Sequence, residues 1–86
     1  MKIKNIICTC SACPSQWEIK LEDGRMIYVR YRWGALAFDI SLEPTDDVYQ
    51  AINGEQIYHE QIGDSMDGCL SEEQLIPYLT RAGITK

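Results

Sequence analysis

Between Trp17 and Leu42 apolar and polar residues alternate with a period of two, interrupted at Asp23-Gly24 and at Trp33-Gly34. Successive side chains on a strand point to opposite faces, so this period predicts strands, and parity decides which residues share a face. Trp17, Ile19 and Leu21 alternate with Glu18, Lys20 and Glu22. Ile27, Val29 and Tyr31 alternate with Tyr28, Arg30 and Arg32, and Leu36, Phe38, Ile40 and Leu42 with Ala35, Ala37, Asp39 and Ser41. A two-residue turn at Asp23-Gly24 would mix the two sets across the first hairpin. A three-residue loop, Glu22-Asp23-Gly24, keeps them apart. It sets Leu21 against Arg25, Ile19 against Ile27 and Trp17 against Val29, with Gly24 at the left-handed bulge position. At the second turn the sets agree for a two-residue loop, Trp33-Gly34, or a four-residue loop from Arg32 to Ala35. A tryptophan with positive φ is costly, which speaks for the wider loop. Either way Tyr31 faces Leu36 and Val29 faces Phe38. One face is apolar. The other carries Glu18, Tyr28 and Asp39 in one row, with Arg30 and Arg32 beside Ala37 and Ala35.

The flanking segments read less sharply. Lys2 to Cys8 has the composition of a short strand that could add an edge to the meander. Thr9 to Gln16 is a loop containing Pro14. Thr45 is a candidate N-cap with Asp46 and Asp47 in the first turn, where the helix dipole favours acids, and Gly54 fits the stop. Gln56 to Ile62 alternates weakly and reads as a short edge strand. Ser71 and Gln74 form a capping box, with Leu70 and Leu75 as the staple. Leu75, Ile76, Leu79 and Ala82 make a buried stripe that is interrupted by Pro77 and ended by Gly83. The fold expected is α+β: a small antiparallel sheet, a three-stranded meander plus one or two edge strands, with two helices packed on one face. Val48, Ile52, Leu75 and Leu79 are expected to cover Trp17, Val29 and Phe38.

At 86 residues, 1–86 is expected to form a single domain. The chain starts at Met without a tag, as a complete small reading frame would. No run approaches the roughly 20 apolar residues of a membrane span, and the N-terminus lacks the apolar core and cleavage site of a signal peptide. A cytoplasmic protein without membrane contact is therefore expected. The net charge of −5 is unevenly spread. Residues 1–32 are net +3, whereas residues 33–80 carry ten acids and neither Lys nor Arg. Such a balance opposes direct nucleic-acid binding, which needs a basic footprint, and suits docking on a basic protein surface.

Three constellations carry possible chemistry. Cys8, Cys10, Cys13 and Cys69 could together hold one tetrahedral zinc, but a triplet plus a singleton is poor ligand spacing. Buried small apolar residues at Cys8 and Cys69 are the alternative. Arg30 and Arg32, with Trp33 and Cys13 nearby, could hold a carboxylate or phosphate. The alternative there is cross-strand pairing to Gln16, Glu18 or Asp39. Glu55, Glu60, Asp64 and Asp67 have no helix end to explain them and are the candidate contacts to a basic partner. Residues 63–74 lack the first acid and the bidentate glutamate of a calcium loop. His59, the only histidine, reads as a surface residue. No catalytic set emerges.

CPSQWE (Cys13–Glu18) followed by YVRYRWG (Tyr28–Gly34) resembles segments of small uncharacterised bacterial and phage proteins. The resemblance implies a bacterial or phage setting and carries no activity. The expectation is thus a small acidic interaction module without catalysis or a required cofactor, such as a phage- or mobile-element-encoded inhibitor of a host nucleic-acid enzyme or defence system. The rival expectation is a small-molecule, anion or zinc module built on Cys13, Arg30, Arg32 and Trp33.

Overall fold

The structure is a computed structural model that describes residues 1–10, 15–63 and 70–86, with only the backbone of Cys10. Seven elements follow in order: β1 (Ile3–Cys10), β2 (Ser15–Leu21), β3 (Met26–Arg32), β4 (Ala35–Ile40), α1 (Val48–Ile52), β5 (Glu55–Gln61) and α2 (Glu72–Arg81). The strands form one antiparallel sheet in the order β1-β2-β3-β4-β5.

The β2–β3 hairpin has the register that face parity demands. Ile19 pairs with Ile27 and Trp17 with Val29. The Leu21 amide donates to the Arg25 carbonyl at 2.9 Å, which closes a loop of Glu22, Asp23 and Gly24 with Gly24 at φ 95°. The β3–β4 hairpin takes the tighter option. Arg32 pairs with Ala35, and Trp33 and Gly34 both have positive φ, 56° and 74°. Two consecutive left-handed residues match the right-handed twist of the flanking strands, and this hairpin accepts the tryptophan strain to obtain that match.

The apolar face buries Trp17, Ile19, Leu21, Ile27, Val29, Tyr31, Leu36, Phe38 and Ile40 in one cluster with Leu75, Leu79 and Ile84. At roughly 1.5–3 kcal/mol for each large apolar side chain, this cluster dominates the favourable side of folding. The helix α2 starts with the expected capping box: the Gln74 amide donates to Ser71 Oγ, and the Ser71 amide to Gln74 Oε1. It ends in a Schellman turn. The Ile84 amide donates to the Leu79 carbonyl and the Gly83 amide to the Thr80 carbonyl, with Gly83 at φ 82°. That turn places Ile84 in the core and lets Thr85 pair with the start of β1.

The expectation that both helices cover this face is corrected. No α1 residue belongs to the apolar cluster; Val48 is half-buried and Ile52 is 41% exposed. Instead α1 lies beside β3 and β4 with Ala51 buried. Its approach is set by Lys20, a polar-face residue, whose Nζ donates to the Thr45 carbonyl and to Asp46 Oδ1. The cap is Asp47, accepting from the Tyr49 amide, while Thr45 Oγ1 accepts from Asp47 one turn earlier.

Candidate functional site

The polar face of the sheet holds the site. Gln16, Arg30, Ala37 and His59 form one continuous row across β2, β3, β4 and β5. The next row pairs Arg32 with Ala35 and Ala35 with Gln61. Two alanines therefore sit between the arginines of β3 and the polar side chains of β5. Their small side chains leave a cavity of about 250 Å³, lined by Arg30, Arg32, Trp33, Ala35, Ala37 and His59. Ala37 is buried and forms the floor, whereas Arg30, Arg32, Trp33 and His59 are exposed at the rim.

Among the described residues, no carboxylate lies within ion-pair distance of Arg30 or Arg32. Cross-strand charge pairing, the bland expectation for these two, does not occur there. The Arg32 guanidinium lies over the Trp33 ring, 5.4 Å from its centroid, in a cation–π contact. Burial pushes the Asp39 carboxyl above the usual carboxylate range, and the charge of Arg30 pulls it partly back.

The turn that carries Trp33 is fixed from β5. Gln61 Nε2 donates to the Trp33 carbonyl at 2.9 Å, and the Ile62 and Gly63 amides donate to the Gly34 carbonyl at 2.8 and 3.1 Å. Chemically the cavity offers two permanent cations, an imidazole and an indole with an N–H donor. Among the described residues that line it, none is a carboxylate, an amine, a hydroxyl or a thiol.

Three of the four expected ligand residues thus converge, and Cys13 lies outside the described residues. His59 was missed. The usable signal was aromatic pairing: Tyr58 stacks on Phe38 with ring centroids 4.9 Å apart, and that pairing sets His59 opposite Ala37. The acidic candidates fare differently. Glu60 lies 3.6 Å from Arg81, an ion pair on the surface. Glu55 is exposed, and Asp64 and Asp67 lie outside the described residues. Among the proposed zinc ligands Cys8 is an exposed free thiol, not a buried one, and Cys13 and Cys69 lie outside the described residues. Among the described residues no three His, Cys, Asp or Glu side chains group as metal ligands, and no helix is long and apolar enough to cross a membrane.

Comparisons with protein-family models, with curated proteins and with solved structures find no match to this chain.

Proposed function

We propose that this protein is an anion-binding module that takes a phosphate or carboxylate group on the polar face of its sheet. The observation that carries the reading is the meeting, across an alanine floor, of His59 with Arg30 and Arg32, which have no ion-pair partner among the described residues. Arg30 and His59 stand two strand spacings apart, about 10 Å between backbones. An oxyanion seated over Ala37 would meet side chains reaching in from both sides, at charge-assisted distances of about 2.8 Å. An exposed free thiol at Cys8 suits a reducing, intracellular setting.

The test is an amide chemical-shift titration with pyrophosphate. Perturbations confined to the backbone around Arg30, Ala37 and His59, saturating with one ligand per chain, are the expected result. Perturbations that scatter over all basic residues, including Lys2, Lys4 and Lys86, would overturn the reading.

A further inference from the structure

We infer that the anion is the phosphate of a nucleotide unit, seated between Arg30 and His59 with its base against the indole of Trp33. This rests on the anion-binding reading above and assigns its ligand class.

Trp33 carries the inference. It is the only non-glycine residue with positive φ among those described, at 56°. Left-handed backbone costs a side chain about 1–2 kcal/mol, and such strain persists where surrounding structure enforces it. Burial does not offset the cost here, because Trp33 is 60% exposed. Asn-Gly would make the same turn with little strain. Folding alone therefore gives no reason for tryptophan at this position, yet three hydrogen bonds from Gln61, Ile62 and Gly63 hold the turn in place. The result is an exposed aromatic side chain, on a turn held by hydrogen bonds, at the rim of a cationic cleft.

An oxyanion alone has no use for such a plate, whereas a base does: stacking on an aromatic side chain is worth about 1–3 kcal/mol per base. The size of the cleft limits the ligand. About 250 Å³ falls below the roughly 300–1,000 Å³ of drug-sized pockets and suits one base and one phosphate. Charge limits it further. Residues 33–80 hold ten acids without a Lys or Arg, so a long polyanion would be repelled soon after leaving the cleft. An acidic peptide would satisfy the arginines but supplies no planar ring for Trp33.

Tryptophan fluorescence tests this directly, because Trp17 is 1% exposed and Trp33 is 60% exposed, so quenching by solutes reports Trp33. The probes are adenosine monophosphate, adenosine, inorganic phosphate, a hexanucleotide with a terminal phosphate, and an Asp/Glu tetrapeptide. Adenosine monophosphate is expected to quench, and to bind at least tenfold more tightly than adenosine or phosphate. Trp33→Leu should remove that advantage and keep the phosphate affinity; Arg30→Gln should weaken both. Weaker binding of the hexanucleotide than of adenosine monophosphate is expected from the acidic surroundings and supports a single nucleotide; tighter binding would overturn the assignment to a single nucleotide. Phosphate or the peptide binding as tightly as adenosine monophosphate, without base-dependent quenching, would overturn the nucleotide and leave the anion site standing. No binding by any probe would overturn both.

Discussion

Arg30 and His59 stand on the same face of the sheet, on strands two apart, with Ala37 as the residue between them. They are far apart in sequence, and neither has a carboxylate partner among the described residues. Their placement follows from two registers, β3 on β4 and β4 on β5. The space between them exists because position 37 is alanine.

That space can be filled without touching a charge. Ala35 is half-buried at the side of the cleft, and leucine is tolerated in a strand. Ala35→Leu is expected to weaken anion binding at least tenfold while moving stability by about 0.5 kcal/mol or less. Calorimetric titration alongside a thermal melt checks both. Unchanged affinity would mean that the ligand does not enter the cleft.

Trp33 sets stability against function. Trp33→Asn creates the turn sequence best suited to two left-handed residues. It is expected to stabilise the domain by about 1 kcal/mol, a rise in Tm of roughly 4–8 °C for a domain of this size. The same change should remove any binding that depends on an aromatic ring. A fall in Tm would show that the tryptophan supports the fold.

The core was largely readable from the sequence because parity is a strict constraint. Once Ile19, Ile27, Val29 and Phe38 must share a face, one loop length survives at the first turn and two at the second. The choice at the second turn was not readable, since local strain argued for the wider loop and strand twist, a property of the assembled hairpin, decided for the tighter one. The β5 half of the site was hidden for a different reason. The α1 segment separates β4 from β5, so no turn fixes their register, and a bulge between Phe38 and Asp39 shifts it again. The packing of α1 was misjudged because its apolar spacing marks a buried side without saying which face of the sheet it meets. Lys20, reaching Thr45 and Asp46, settles that, and a lysine in an alternating strand gives no hint of such a role.

The return of the chain from α1 to β5 depends on Gly54. A Cβ at this position would lie 1.9 Å from the Ile40 carbonyl oxygen, and that oxygen belongs to backbone that cannot swing aside. Gly54→Ala is expected to destabilise the domain by about 2–3 kcal/mol, read by chemical denaturation. Wild-type stability would mean that the β4–β5 edge is looser than described.

Asp39 links stability to pH. Its carboxyl is raised above the usual range, by burial first, with Arg30 opposing. The folded state therefore favours the protonated form. The contribution is present below the ordinary carboxylate value and is lost as pH rises through the raised one. Asp39→Asn should raise Tm at pH 7, by up to about 4 °C, and change it little near pH 3, where the carboxyl is protonated in both states. It should also strengthen anion binding, since Arg30 no longer shares its charge with a neighbouring acid. A lower Tm at pH 7 would contradict the assigned direction.

The most direct test of an anion site on this face is the pyrophosphate affinity of Arg30→Gln, Arg32→Gln and the double variant against the parent, at two salt concentrations. Hydrogen bonds to charged groups are worth roughly 1.5–3 kcal/mol each, so each single variant should lose at least about tenfold in affinity. The double variant should bind no better than background, and the melting curves should overlay, because both arginines are exposed. Equal affinity in the parent and the double variant would contradict the site.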